Sequence, residues 1–230
     1  MTKQRKFWAI GLAGLMSIIF TIGILTRQHE PLMPSQSSTV ITGTRIPDSL
    51  LYRLVPEVLV HLDGGEVVAS GSAVFVSPTV LLTAKHMTTI PLSTLTVSLS
   101  FGTEYKVVRI YAQRDHDTAI LVIEPGYNGP TAVVSLTPEL NVGDPVVCVG
   151  WFMPDIGLKC STTFGHIAGL DLPPGENTGD IECDITCGPG MSGGGVFHDG
   201  RLIGIVSRGG GGFLIIERVP DWKKILRQED

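Results

Sequence analysis

The chain has 230 residues, a formal net charge of -5 and 43% hydrophobic residues, enough for one large domain or two small ones that bury roughly 70% of their unfolded surface without staples. The acidic balance offers no basic footprint for nucleic acid, which is excluded as an expected partner. Twenty-eight glycines and 15 prolines without a period exclude a low-complexity polymer and suit a strand-rich fold with many turns.

Lys3, Arg5 and Lys6 precede Phe7 to Leu25, 19 residues without a charge, long enough to cross a hydrocarbon core of ~30 Å as a helix. Positive charge on the N-terminal side predicts a cytoplasmic N-terminus and an exported remainder, periplasmic or extracellular. No small-x-small pattern falls near Ile24 to His29, which favours an uncleaved single-pass anchor over residues 1–26; the alternative is a removed signal peptide and a secreted protein. Residues 27–50 turn to Pro, Ser, Thr and Gln and read as a tether of little fixed structure.

Beyond residue 50 the chain becomes short apolar runs broken by Gly, Pro, Asp and Ser. Glu57 to Leu62, Val67 to Val76, Val80 to Ala84, Leu95 to Ser100, Tyr105 to Tyr111 and Ala119 to Ile123 are rich in Val, Ile, Thr and aromatics and predict strands. After a linker from Glu124 to Pro130 comes a second set: Pro145 to Val149, Lys159 to Ala168, Ile181 to Asp184, Gly194 to His198, Leu202 to Ser207 and Phe213 to Arg218. Two groups of about six predict an all-β domain over 51–227 made of two six-stranded antiparallel barrels, the first about 51–128 and the second about 129–227. Pro220 to Arg227 alone carries a helical signal, with Trp222, Ile225 and Leu226 spaced for one face.

Cys148, Cys160, Cys183 and Cys187 lack the paired spacing of a zinc site, so no metal is expected. Free thiols and disulfides both remain open for them, Cys148 with Cys160 and Cys183 with Cys187 among the pairings.

Chemistry concentrates at Gly188-Pro189-Gly190-Met191-Ser192-Gly193-Gly194-Gly195. Glycines on both sides of a serine let amides turn toward one point and let substrate approach the hydroxyl, as acyl transfer requires. A serine needs a base. His86 ends the apolar run Leu81 to Ala84, where the chain turns outward. His61, His166 and His198 fall within or beside strands and read as packed or surface residues; His116 lies beside two acids, and His29 belongs to the tether. Asp117, at the mouth of the run from Thr118 to Val122, is the candidate to orient the base, with Asp115 and Asp184 as weaker rivals.

Thr83-Ala84-Lys85-His86, Asp117-Thr118-Ala119-Ile120-Leu121 and Gly190-Met191-Ser192-Gly193-Gly194, in that order and 31 and 75 positions apart, resemble the trypsin and chymotrypsin family of serine peptidases, especially its short bacterial members. Gly71 to Val76 and Gly204 to Gly209 extend the resemblance over roughly 51 to 227. It implies a chymotrypsin-like fold and a serine-type endopeptidase working through an acyl-enzyme: Ser192 as nucleophile, His86 as base then acid, Asp117 orienting it. The amides of Gly190 and Ser192 would form the oxyanion hole. Substrate, a protein or peptide, would pair with Ser207, Arg208 and Gly209. Thr186 would floor the primary pocket beside Cys187; an uncharged floor disfavours cleavage after basic residues and favours small or medium side chains. No cofactor is expected.

Two departures qualify the likeness. Members activated by cleavage carry an aspartate before the nucleophile, where this chain has Met191, and an aromatic residue usually follows the pocket-wall serine, where it has Arg208. In overall plan the chain resembles anchored quality-control proteases of bacterial envelopes, with no recognition domain expected after residue 227. The alternative function is a catalytically idle peptidase fold that binds a protein partner.

Overall fold

The computed structural model describes residues 53–62, 65–90, 93–99, 102–152, 159–170, 180–210 and 212–229. The candidate span Phe7 to Leu25 and the tether lie outside them. Among the described residues no helix is long and apolar enough to cross a membrane.

Thirteen strands and one α-helix make up the described chain. The first seven are β1 (Glu57–Leu62), β2 (Val67–Ser72), β3 (Val74–Ser77), β4 (Val80–Ala84), β5 (Ser93–Ser98), β6 (Glu104–Ala112) and β7 (Thr118–Ile123), with a 3-10 turn at Lys85–Thr88 after β4. They form one antiparallel sheet in the order β2-β1-β5-β6-β7-β4-β3. β4 is buried along its whole length and nearly all of β7 is buried too, as their continuous Val, Leu and Ile content requires.

The expected single strand Val67 to Val76 is two. At its middle the Ser72 amide leaves the sheet to donate to Ser192 O at 2.7 Å, and the Ala73 amide donates to Pro56 O at 3.1 Å. The chain breaks there, so β2 and β3 end on opposite edges of the sheet. The first unit is therefore a curled half-barrel of seven strands, not the closed six-stranded barrel expected.

The second unit does close. β8 (Pro145–Phe152), β9 (Lys159–Leu170), β10 (Ile181–Cys183), β11 (Gly195–His198), β12 (Arg201–Gly210) and β13 (Phe213–Arg218) circle in the order β10-β13-β12-β11-β8-β9. Helix α1 (Trp222–Glu229) follows. The segment between the units is pinned by Tyr127, whose ring stacks on Phe75 with centroids 3.7 Å apart and whose hydroxyl reaches Arg53 O and Pro130 O, each at 2.8 Å.

Two apolar cores result. One fills the half-barrel but also takes in Val149, Phe197, Leu202, Ile205 and Val219 from the second unit, with Trp222, Ile225 and Leu226 of α1 packed on it. The other lies inside the closed barrel and includes Val146, Ile167, Ile203 and Met191. The candidate site lies where the two units meet.

Candidate active site

Strand register brings His86 and Asp117 together. β4 and β7 are antiparallel with Ala84 opposite Thr118, so the residue just past the end of one strand faces the residue just before the start of the other. Lys85 N donates to Asp117 O at 3.1 Å. Asp117 Oδ1 accepts from the His86 amide at 2.9 Å, and Oδ2 accepts from His86 Nδ1 at 2.8 Å. A carboxylate on Nδ1 fixes the tautomer and leaves Nε2 as the free nitrogen.

Ser207 completes this group. Its hydroxyl donates to Asp117 Oδ2 at 2.7 Å, and its residue is buried. The register of β12 against β13 slips between Val206 and Arg208, and such a bulge re-aims the side chain at the slip. Burial alone would raise the Asp117 carboxyl; hydrogen bonds from the His86 ring, Ser207 and the His86 amide outweigh it and hold the carboxyl below the ordinary value of 3.8.

Ser192 sits on the turn entering β11. Gly190 has φ +94° and Gly193 φ +84°, values open to glycine at little cost. A Cβ on Gly193 would lie 2.0 Å from Ser72 O and 2.3 Å from Thr83 Oγ1, so the glycine also lets the Ser192 turn press against the half-barrel. Gly193 N donates to Val206 O at 2.8 Å and Gly194 N to Met191 O at 2.9 Å. Among the described residues the amides of Gly190 and Ser192 have no acceptor, and the Ser192 hydroxyl makes no hydrogen bond. Bonds between a nucleophile and its base often tighten only when substrate fills the site.

One residue that sequence reasoning gave no role holds this turn. Ser72 is fully buried; its hydroxyl donates to Gly190 O at 2.8 Å and accepts from the Trp151 amide at 2.7 Å, while Ser72 O accepts from Thr83 Oγ1 at 2.7 Å. Its signal was a lone hydroxyl between small residues in Gly71-Ser72-Ala73.

A cleft of about 690 Å³ gathers His86, Asp117, Ser192, Ser207, Arg208 and Gly209, with Cys187 on its wall. Cys187 and Gly209 touch so closely that a Cβ on Gly209 would fall 1.9 Å from the Cys187 sulfur. Thr186, expected at the pocket floor, is exposed and does not line the cleft; Ile185 before it is buried in the second core, and the alternation carries Thr186 outward. Arg208 donates to Asp180 Oδ2 at 3.2 Å. Met191 is buried in the second core, filling with hydrocarbon the position where an aspartate would receive a new amino terminus. All four cysteines are free thiols, and burial pushes Cys160 and Cys183 up to about 12.

The remaining histidines have other partners. His61 Nε2 pairs with Thr96 Oγ1 at 2.8 Å and His198 Nδ1 donates to Pro145 O at 2.9 Å. His166 meets Asp184 through both its amide and its Nδ1, away from the cleft. His116 Nδ1 lies 3.2 Å from Glu217 Oε2. Asp115 is exposed and makes no hydrogen bond among the described residues.

A half-barrel and a barrel with a glycine-framed serine and a His-Asp pair at their junction define the trypsin-like class of peptidase domains. The model of the trypsin-like peptidase domain matches residues 71–205, and the chain belongs to that family. It is 33% identical over 124 residues to the "Probable periplasmic serine endoprotease DegP-like" of Ectopseudomonas mendocina, covering 51% of this chain and 25% of that protein. Its namesake in Pseudomonas savastanoi pv. phaseolicola is 32% identical over 151 residues, covering 63% and 30%. The chain thus spans less than a third of the length of these curated relatives. Among solved structures, the HtrA-type protease AlgW with tripeptide shares the fold at a TM-score of 0.63 and 24% identity, over 78% of this chain and 61% of that one.

Proposed function

We propose that this chain is a serine endopeptidase that cleaves peptide bonds through an acyl-enzyme. The observation that carries the reading is the 2.8 Å bond from His86 Nδ1 to Asp117 Oδ2 in the same cleft as a serine with an unengaged hydroxyl. Ser192 Oγ attacks the scissile carbonyl while His86 Nε2 takes its proton, and the imidazolium, stabilised by Asp117, returns that proton to the leaving amine. The free amides of Gly190 and Ser192 receive the oxyanion, where one donor is worth ~10²- to 10³-fold in turnover. Water repeats the sequence to release the acid. Extended substrate pairs with the backbone from Ser207 to Gly209 as an added strand.

Cys187 lies against Gly209 on the wall of the cleft, and a crowded wall suits small side chains at the cleaved bond. The domain layout stays as read from the sequence: an anchor or signal over 1–26, a tether over 27–50 and the peptidase domain over 51–227. The charges preceding Phe7, together with relatives named as periplasmic, support an exported domain and a membrane-held or secreted protein.

A fluorophosphonate probe tests the reading. It is expected to label the wild type and not Ser192→Ala, which keeps its fold while turnover of a peptide substrate falls by roughly 10⁶-fold. Equal labelling of both proteins would sink it. Digestion of a peptide library by the wild type is expected to give cuts after small uncharged residues; dominant cuts after Lys or Arg would refute the pocket assignment.

A further inference from the structure

Behind Asp117 lies a group of buried charged side chains that the proposed reaction does not use. Glu217, on β13 of the closed barrel, is 1% exposed. Its Oε1 accepts from the Asp117 amide at 3.3 Å and its Oε2 pairs with His116 Nδ1 at 3.2 Å. Asp180 is 0% exposed, with Oδ2 bonded to Arg208 and Oδ1 without a partner. β10 pairs with β13 with Ile181 opposite Ile216, so Asp180, one residue before, stands across from Glu217, one residue after. A charged side chain is costly at such depth unless something holds it and something is held by it.

Two acidic groups side by side in a dry site cannot both ionise cheaply. Burial first, then the charge of Glu217, push Asp180 up to about 6, against the opposite pull of Arg208 and His116.

The loop carrying Asp117 runs between β6 and β7. On the half-barrel side Gln113 N bonds Thr118 O at 3.0 Å and Lys85 Nζ bonds Gln113 O at 3.0 Å. From the other barrel come Ser207, on the Asp117 carboxyl, and Glu217, on its amide and its neighbour's ring. The groups facing Glu217 are thus Asp117, His116 and Asp180, with Arg208 bonded to Asp180.

We propose that Glu217 is a positioning residue for Asp117: its buried carboxylate crosses from the closed barrel, grips the Asp117 amide and the His116 ring, and fixes the loop that presents the carboxylate to His86. Asp180 seats Glu217 from behind. This rests on reading Asp117 as the group that orients His86. It makes the alignment of the base depend on how the two barrels dock.

The test compares two variants of nearly equal side-chain volume in the full chain, assayed by peptide turnover and by the rate of fluorophosphonate labelling. Glu217→Met has no acceptor; kcat is expected to fall by about 10²-fold, the cost of an ~1 Å misplacement, with KM within about twofold. Glu217→Gln keeps an acceptor for the Asp117 amide and is expected to stay within about fivefold of wild-type kcat. A folded Glu217→Met with wild-type kcat overturns the proposal while leaving the peptidase reading intact. If Glu217→Met fails to fold, Glu217→Gln decides: activity within fivefold supports the grip, and a loss as deep as that of Asp117→Asn overturns it. Wild-type protein that no probe labels removes the peptidase reading and this proposal with it.

Discussion

Asp117 shows how much one side chain asks of its surroundings. It is half-buried, and three donors converge on its two oxygens, which outweighs the upward push of burial and holds the carboxyl below its ordinary value. A carboxyl whose folded pKa is lowered adds stability that is complete above its unfolded value of 3.8 and is lost as pH falls through the lower folded value. Asp117→Asn therefore has two expected outcomes. Turnover drops by about 10⁴-fold, because the amide no longer enforces the imidazole tautomer. The melting temperature of the variant, followed from neutral to strongly acidic pH, lacks the acid-side decline that this carboxylate gives the wild type. A variant with undiminished turnover would remove Asp117 from the mechanism. Asp117 could be singled out in the sequence because an acid preceding an unbroken apolar run has no packing reason to be there, and the structure sets it against His86. Counting back from Ser192 fixes only the sequence distance of Thr186, whereas the buried neighbour Ile185 decides which way the exposed threonine points. Glu217 was overlooked because, next to Arg218 at the end of the run Leu214 to Ile216, it reads as an ordinary charge at a strand end, and a charge there does not say which loop it will meet.

At the level of elements, pattern and turn chemistry placed nearly every strand, and the C-terminal helix expected at Pro220 to Arg227 runs Trp222–Glu229. The failure at Val67 to Val76 is instructive. The pattern read as one strand with small residues at its middle, but the amides of Ser72 and Ala73 are claimed by Ser192 O and Pro56 O, partners outside the strand. The Ser192 turn and the strand break are two sides of one contact. Gly193 is its tightest point, with positive φ and with backbone where a side chain would go. Gly193→Ala is expected to cost at least ~3 kcal/mol from the dihedral and the clash together. For a domain of this size that lowers the melting temperature by roughly 6–12 °C. Calorimetry of the purified variant checks the value. A variant that melts with the wild type would mean that the turn and the half-barrel do not press on each other.

Across the described molecule, the division into two units was readable from two groups of strand signals, but the unequal outcome was not. Closure of a barrel depends on whether its first and last strands meet, and no local pattern encodes that. Nor did the sequence reveal that the half-barrel core is completed by the other unit and by α1, whose Trp222, Ile225 and Leu226 pack back on it. The helix thus clasps the half-barrel after the chain has finished the closed barrel. Each of the three side chains is partly buried, so roughly half of the ~1.5–3 kcal/mol for a fully buried apolar side chain applies, or ~2–4 kcal/mol together. Removing residues 222–230 is expected to lower the melting temperature by roughly 4–15 °C. His86 and Asp117 ride on the strands that this core supports, so labelling of Ser192 in the shortened protein should fade at a correspondingly lower temperature. Triple substitution of Trp222, Ile225 and Leu226 by alanine, which keeps the chain length, should reproduce the loss. If the shortened protein is destabilised and the triple variant is not, the helix acts through its length or its charges, and the clasp is refuted.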